Sequence, residues 1–409
     1  MASSASAWGQ TSLWLSMESP QHFRDLSLWS LVSWLLLVSI LTPLVLSCLR
    51  WFRTWRTLRA FPGPGGPFTF CLTVYRFCTS HPELDFNVGI MNLFYGLSRA
   101  YRKEKLFNIY MGPKPHIFVY SPEAVQTVLS QTKNMDKTYV YTLLKEWMGN
   151  GLIMSPGRIW KPRRRLITPA FHFRIMEDAL GPINTAAKSL TATLSQLSTE
   201  EGLVNDLVPH VQRCSLRVIC EAAMGVDIES LPGSRRYVKA VVDVSESFTQ
   251  RFVRPWLWNA WFYFWCTSAG RRDWRNTATI RKFSLQAIET RKRSLLEERS
   301  KGKNENGLTE PQKGRQCFMD VLLDMHLRSD ENGENKLSLE DIREEVDTFM
   351  FAGHDTTTAG ISFCLYLLGH SPEVQEKVYE ELESVFDGSD RAVTLEDIKE
   401  LRYLDCVIK

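Results

Sequence analysis

The sequence has no paired cysteines and no strong charge of either sign. Its nine cysteines are an odd number and never form a Cys-x-x-Cys pair, which argues against a disulfide framework or a zinc cluster. The 49 basic and 46 acidic side chains leave a net charge of +3, so the composition gives no reason to expect nucleic acid as a partner. Reduced, mostly buried thiols are typical of a protein that faces the cytosol.

Several motifs of common enzyme classes are also missing. No glycine-rich phosphate loop follows a strand, and no Gly-x-Ser-x-Gly nucleophile motif occurs. His172, His354 and His370 have no partner at the spacing of metal ligands. The 44% hydrophobic content excludes a mainly disordered chain. A chain of 409 residues is long enough to bury a substantial core, in one large domain or in two or three smaller ones.

One long apolar run lies near the start of the chain. Residues 26–49 carry no charge, and as a helix they would cross the roughly 30 Å hydrocarbon core of a bilayer. Trp29 and Trp34 near one end, with Trp51 and Trp55 beyond the other, suit the membrane interface. A cleaved signal peptide is the alternative, but its apolar core is normally only about 7–15 residues long and follows a basic segment. The run therefore predicts an uncleaved transmembrane anchor.

The residues after the run predict its orientation and the domain boundaries. Four arginines, at 50, 53, 56 and 59, follow without an acidic residue among them, and such residues stay on the cytoplasmic side. The segment Phe61–Pro67 is rich in proline and glycine, which break helices. We therefore expect a lumenal N-terminus (1–25), an anchor (26–49), a basic stop-transfer segment with a hinge (50–67) and a cytosolic domain (68–409).

The cytosolic domain is predicted to be mainly α with a small β-sheet. The β-prone runs Leu106–Tyr110 and Ile117–Tyr120 flank Gly112–Pro115, which indicates a β-hairpin. Ser121, followed by Pro122 and Glu123, then has the pattern of a helix start.

Further helix starts occur in the second half of the chain. Ser338 and Asp341 form a capping-box pattern at the start of a long helix that continues apolar through Leu368. Ser371 and Thr394 open two more helices, and the polar stretch from 300 to 316 is predicted to be an exposed loop.

Three groups of residues are candidates for chemistry. The long helix contains Gly353, Asp355 and Thr356. Gly353 would let a flat ligand approach the backbone, while Asp355 and Thr356 would supply an acid and an alcohol for proton transfer. A polar helix face turned to water is the alternative, and on this motif alone it is favoured.

The second candidate is Trp160 with Arg164, one helical turn apart, which together could grip a carboxylate of a cofactor. A solvated basic face is the alternative for residues 161–165. The third candidate is the aromatic segment from Phe252 to Trp265. It could line an apolar substrate mouth or touch the bilayer, or simply pack between helices.

The order of these features resembles that of a microsomal cytochrome P450. Anchor, arginine-rich stop, Pro-Gly hinge, hairpin, Trp160-x-x-x-Arg164 and the motif at 352–357 follow one another as in that family. The stretch from Glu345 to Thr357 looks like family 4, the fatty-acid hydroxylases. Residues 174–225, 255–258 and 401–409 look most like its V-type branch, and the resemblance covers essentially the whole chain after residue 50.

The resemblance implies a haem-thiolate monooxygenase with the P450 fold, held in the endoplasmic reticulum membrane by a single span. Such an enzyme hydroxylates fatty acids or similar lipids with O2 and with electrons from NADPH-cytochrome P450 reductase. By position, Trp160 and Arg164 would bind a haem propionate, and Gly353 would lie against the haem. Asp355 and Thr356 would manage protons during oxygen activation.

Two departures from the family pattern change these expectations. Many family-4 members carry a glutamate at the position of Ala352, where it forms an ester with the haem. Alanine has no carboxyl group, so haem should bind here without a covalent link, and strict selectivity for the terminal carbon is less expected.

The second departure concerns the iron ligand. The family's Glu-x-x-Arg motif and its cysteine loop are expected beyond Lys409, and none of the nine cysteines has the family's surrounding pattern. No metal ligand is therefore expected within the chain, which alone should be inactive. Three interpretations remain: part of a fatty-acid monooxygenase, a truncated membrane-anchored binding protein without turnover, or a helical adaptor.

Overall fold

The structure is a computed structural model that describes residues 20–111, 114–131, 135–171, 177–202, 206–226, 231–301, 317–332 and 337–409. It divides into two compact units, residues 1–129 and 130–409. Helices dominate both units. Among the described residues, the one sheet is a two-stranded antiparallel hairpin in the first unit.

The described residues of the first unit form four helices and the hairpin: α1 (Pro20–Leu58), α2 (Pro67–Ser80), α3 (Phe86–Ala100), β1 (Leu106–Met111), β2 (Lys114–Val119) and α4 (Pro122–Leu129). The predicted hairpin is confirmed, although β2 begins three residues earlier than predicted and includes Pro115. Proline is tolerated in an edge strand because its missing N–H faces away from the ladder. The predicted start of α4 is also confirmed, since Ser121 Oγ accepts a hydrogen bond from Ala124 N at 3.2 Å.

Helix α1 contains the predicted anchor. Within the described part of the chain, Ser30–Leu58 is the one stretch of helix long and apolar enough to cross a membrane, and its side chains are not buried by the protein. The helix does not end at residue 49 but continues for nine residues, so Arg50, Arg53 and Arg56 lie on its last turns.

The segment after α1 is tied to the hairpin. Asn108 on β1 donates from Nδ2 to the carbonyl oxygens of Leu58 (2.9 Å) and Phe61 (3.0 Å), and from its backbone N–H to Pro62 (2.7 Å). A Cβ atom on Gly63 would lie 2.3 Å from the Asn108 carbonyl oxygen, so a larger residue cannot fit. The Pro-Gly segment breaks the helix as predicted, and its first residues are bound to β1.

The second unit is helical. It contains α5 (Lys145–Met148), α6 (Gly157–Ile167), α7 (Leu180–Glu201), α8 (Val208–Ile219), α9 (Ser234–Phe252), α10 (Ser268–Lys301), α11 (Phe318–Asn332), α12 (Leu339–Gly369), α13 (Pro372–Phe386), α14 (Leu395–Glu400) and α15 (Arg402–Ile408). Short 3₁₀ or π turns occur at Tyr139–Leu144, Thr168–Phe171, Cys220–Met224, Pro255–Leu257 and Phe262–Cys266. Residues 302–316 of the predicted polar loop lie outside the described residues, while 300 and 301 belong to α10.

The long helix α12 is central to this unit, as the sequence predicted. Its capping box is complete: Ser338 Oγ accepts from Asp341 N at 3.0 Å, and Asp341 Oδ2 accepts from Ser338 N at 2.9 Å. Its apolar residues Ile342, Val346 and Met350 are fully buried in the main hydrophobic core. Helices α5, α8, α10, α11 and α13 all pack against it. These five helices therefore fix the position of any site on α12.

Candidate functional site

The first three turns of α12 bury charged side chains rather than exposing them. Arg343 Nη1 donates to Asp347 Oδ2 at 2.5 Å and to the Trp147 carbonyl oxygen of α5 at 2.9 Å. Asp347 also accepts from Ser284 Oγ of α10 at 2.6 Å. Burial raises the pKa of Asp347 to about 6, even though Arg343 favours its charged form. These bonds fix α12 against α5 and α10.

A second buried cluster joins α12 to α6. Arg163 Nη1 donates to Glu344 Oε2 at 3.1 Å and Glu345 Oε1 at 3.0 Å, and Nη2 pairs with Asp341. Only 12% of the Arg163 side chain is exposed, and none of the Glu345 side chain. The sequence of residues 161–165 also fits a solvated basic face. Arg163 departs from that pattern because three carboxylates surround it. We call Arg163, Asp341, Glu344 and Glu345 the Arg163 cluster.

The loop before α6 fits closely against the same cluster. Its Asn150 carbonyl oxygen accepts from Arg163 Nη1 at 2.7 Å, and its Leu152 N–H donates to Glu345 Oε2 at 3.0 Å. A Cβ atom on Gly151 would lie 2.6 Å from the carbonyl oxygen of Glu344, so the loop touches the backbone of α12. Burial raises the pKa of Glu345 to about 7, against the effect of these bonds.

Trp160 and Arg164 lie one turn apart on α6, as predicted. The Arg164 guanidinium carbon is 5.5 Å from the centre of the Trp160 ring, a cation–π contact. Arg164 is exposed and makes no ion pair with any residue that the structure describes, in contrast to Arg163. An available guanidinium beside an indole is chemically suited to a carboxylate such as a haem propionate. That role stays a prediction.

The middle of α12 has an open face. Asp355, Thr356, Ala359 and Gly360 are exposed, Ala352 is half-buried, and a Cβ atom on Gly360 would meet nothing within 4 Å. Thr356 Oγ1 donates to the Ala352 carbonyl oxygen at 2.7 Å. Because most of these side chains are small, a flat macrocycle can approach the helix closely, so the residues present fit a haem. The acid and the alcohol predicted to transfer protons lie on this same face.

The opposite face of α12 packs against α8. Ser215 and Thr358 share a hydrogen bond of 2.7 Å, and His354 Nδ1 bonds to the Met350 carbonyl oxygen at 2.9 Å. Burial lowers the pKa of His354, which favours the neutral imidazole. A Cβ atom on Gly353 would lie 2.7 Å from Ile219 Cδ1. Close helix packing therefore accounts for this glycine, for which the sequence predicts the approach of a flat ligand. A contact between Gly353 and haem stays a prediction.

The described residues give no sign of a metal-binding cluster. Within those ranges, no three His, Cys, Asp or Glu side chains form a group that could hold a metal ion. His172 lies outside the described residues, and His370 caps the end of α12, where its Nδ1 bonds to the Tyr366 carbonyl oxygen at 2.9 Å. All nine cysteines are free thiols, including Cys364 on α12 and Cys406 on α15.

The aromatic segment between α9 and α10 is partly anchored and partly exposed. Tyr263 is buried, and its hydroxyl donates to Asp273 Oδ2 at 2.6 Å. Trp256, Trp261 and Trp265 are 60%, 68% and 72% exposed. Packing between helices thus accounts for Tyr263 but not for these three tryptophans.

The fold belongs to a known class. The profile of the cytochrome P450 family matches residues 76–409. Two solved structures of a cytochrome P450DA haem domain share the fold, with TM-scores of 0.61 (mutant) and 0.60 at 22% and 21% identity. They cover 79% and 85% of this chain, which spans 64% and 68% of theirs. The chain belongs to the cytochrome P450 family, and the predicted P450 fold is confirmed.

Relatives narrow the class further. The chain is 37% identical to Cytochrome P450 4V2 from Homo sapiens, over 97% of this chain and 73% of that protein. It is 35% identical to Cytochrome P450 4c3 from Drosophila melanogaster, over 93% of this chain and 70% of that protein. The prediction of a family-4 cytochrome P450 is therefore confirmed.

Proposed function

We propose that this chain provides the oxygen-activation helix and a haem-carboxylate site of a monooxygenase that hydroxylates fatty acids or similar lipids. The open face of α12, with Asp355 and Thr356 on it, is the observation that carries this proposal. Membership of the P450 family supports haem as the cofactor. When bound, haem supplies the iron chemistry that splits O2 and places one oxygen atom in a C–H bond.

Asp355 and Thr356 handle protons in this proposal. The exposed Asp355 carboxyl group exchanges protons with solvent, and the Thr356 hydroxyl is a donor that now points to the Ala352 carbonyl oxygen. Rotation about χ1 turns that hydroxyl from the carbonyl towards the open face. Asp355 thus replenishes from water the proton that Thr356 delivers at its Oγ1 atom.

Trp160 and Arg164 hold a haem carboxylate in this proposal. Arg164 contributes a charge-assisted bond, and the Trp160 indole N–H contributes a second donor. Ala352 offers no carboxyl group for an ester, so binding is non-covalent. Treatment with acidic acetone should therefore extract the haem, whereas haem that stays with the polypeptide would contradict non-covalent binding.

Helix α1 anchors the protein in the endoplasmic reticulum membrane in this proposal, with the N-terminus in the lumen. Its length, apolar surface and terminal arginines support that orientation. The domain at 68–409 then faces the cytosol, where NADPH-cytochrome P450 reductase can deliver electrons. Protease added to sealed microsomes should degrade residues 68–409, and full protection of that region would exclude this topology.

A haemin titration tests the proposal. The purified chain should bind one haemin per molecule, seen as a shifted Soret band, and Arg164→Met should weaken binding while the neighbouring exposed Arg165→Met should not. No Soret shift in the unsubstituted chain would refute the haem site. The expectation that this chain alone gives no thiolate-type band with carbon monoxide, and is inactive, stays a prediction. Such a band would show that one of the cysteines binds iron.

The alternative is a membrane-anchored P450-like protein that binds lipid without turnover. It rests on the lack of a cysteine in the family's iron-ligating pattern. It predicts saturable binding of a fatty acid by the chain with no oxygen consumption when reductase and NADPH are supplied. Oxygen consumption coupled to hydroxylated product would exclude it.

A further inference from the structure

Three consecutive arginines on α6 have three different environments. Arg163 is buried among carboxylates, Arg164 rests over the Trp160 ring, and Arg165 is exposed. Among the described residues, every hydrogen bond and ion pair that joins α6 to α12 is made by Arg163. The two helices carry the two halves of the proposed site, and Arg163 supplies the polar part of the contact that sets their relative position.

We propose that Arg163 is a positioning residue, which holds α6 on α12 through the Arg163 cluster and so sets where Trp160 and Arg164 meet the haem carboxylate. This inference rests on the proposed haem site. Arg163 itself does not reach the haem, because both terminal nitrogens of its guanidinium are occupied by carboxylates and by the Asn150 carbonyl oxygen. It acts through Trp160 and Arg164 on the same helix.

The geometry explains why this position requires arginine. Nη1 and Nη2 together contact three carboxylates and one backbone carbonyl oxygen. A lysine ammonium is a point charge without a planar fork and cannot reproduce these directions. The cluster occupies the Arg163 guanidinium, so the charges available to a ligand on this turn are those of the exposed Arg164 and Arg165, of which Arg164 lies beside the Trp160 ring. Loop 149–152 lies directly on the Arg163 cluster. The start of α6 can therefore move little unless this loop moves too.

The test compares haemin-loaded full-length chain with Arg163→Met, Arg164→Met, the double substitution and the control Arg165→Met. Haem loss to an excess of apomyoglobin should be about tenfold faster in Arg163→Met, in the range seen when a residue that orients a ligand is removed. Arg165→Met should match the unsubstituted chain. Because Arg163 acts in part through Arg164, the double substitution should speed haem loss by less than the two single effects combined.

Hydrogen exchange measured without haemin gives a second readout. Arg163→Met should speed amide exchange in residues 149–167 and leave the interior of α10 unchanged. Acceleration throughout the second unit would show a merely structural role, and additive effects on haem loss would show that Arg163 does not act through Arg164. Either result overturns the inference, as does haem loss equal to that of Arg165→Met. Failure of the unsubstituted chain to bind haemin would instead refute the proposed function, and this inference with it.

Discussion

The first three turns of α12 and its middle differ in how far their polar side chains are buried. From Leu339 to Met350 the charged side chains Arg343, Glu345 and Asp347 are buried and each has a partner on another element or on the same helix. From Ala352 to Gly360 the polar residues split, with His354 buried and Asp355 and Thr356 exposed.

The buried charges at the start of α12 therefore hold the fold, whereas the exposed polar residues in its middle are free to take part in chemistry. The buried charges join α5, α6 and α10 to α12, so their loss should weaken these helix contacts. The exposed acid and alcohol contribute little to packing, so they are available for proton transfer. Substitutions of the same kind in the two parts should therefore have unequal effects.

The largest contrast is between two aspartates. Asp347→Ala leaves the buried Arg343 with only the more exposed Glu340 as a carboxylate partner and should lower the free energy of unfolding by about 3 kcal/mol, the lower end of the cost of breaking a buried ion pair. Asp355→Ala removes an exposed carboxylate and should change it by no more than about 0.5 kcal/mol. Urea unfolding of the detergent-solubilised chain measures both. Equal losses would mean that the two parts of α12 do not differ in this way.

The pH dependence of stability should also trace to the buried part. The pKa of Glu345 rises from 4.5 to about 7 on burial beside Arg163 and Glu344. The folded state thus holds this proton more tightly than the unfolded state, so its contribution is complete below pH 4.5 and is lost as pH rises towards 7. The loss is at most about 3 kcal/mol.

Glu345→Gln should flatten this slope between pH 5 and 7, and Asp347, with its pKa of about 6, should account for part of what remains. Melting temperatures across this pH range provide the measurement. Glu380→Gln, at an exposed carboxylate on α13, is the control and should leave the slope unchanged. An unaltered slope in Glu345→Gln would exclude Glu345 as its source.

Two glycines allow the open face and the packed face of the middle of α12 to be compared. Gly360→Ala adds a methyl group into open space and should stabilise the protein by up to about 1 kcal/mol. Gly353→Ala places a methyl group against Ile219, and this crowding should cancel or outweigh the same gain. The two melting temperatures should differ by the equivalent of about 1–3 kcal/mol. Similar values would show that α8 can move away from Gly353.

Thr356→Ala should have the smallest effect on stability, under about 0.5 kcal/mol, because its hydroxyl is exposed and bonds only to a local carbonyl oxygen. Its effect should instead fall on the reaction. In a complete homologue that carries this same segment, loaded with haem and supplied with reductase, the peroxide released per product formed should rise, because the proton donor is lost. An unchanged ratio, with Thr356→Ser as the control that keeps the hydroxyl, would remove Thr356 from proton delivery.

Local signals predicted much of this fold. The capping boxes at Ser338 and Thr394, the hairpin and the apolar α1 depend on residues close in sequence, and all are observed. The buried charges at the start of α12 could not be predicted in this way. A run containing Glu344, Glu345 and Asp347 has the composition of a solvated helix face.

Partners distant in sequence decide that these charges are buried. Arg163 lies more than 170 residues before Glu344 and Glu345, and nothing near either segment indicates their pairing. The same is true of Gly353 and Ile219. Trp160 and Arg164 could be placed on one helix face because helical spacing depends on residues close in sequence. The position of α6 on α12 depends on residues far apart in sequence, so it could not be predicted in this way.

The attachment of Asn108 to the end of α1 has a mechanical consequence. Eight residues separate Leu58 from Pro67, and without further contacts they would let α2 lie up to about 28 Å from the last turn of α1. The Asn108 side-chain amide holds the start of this segment on β1 through hydrogen bonds to the carbonyl oxygens of Leu58 and Phe61. Tilting of α1 should therefore move the hairpin with it. A chimera that exchanges the anchor but keeps residues 58–63 and Asn108 should preserve this stiffness, and Asn108→Ala should release it.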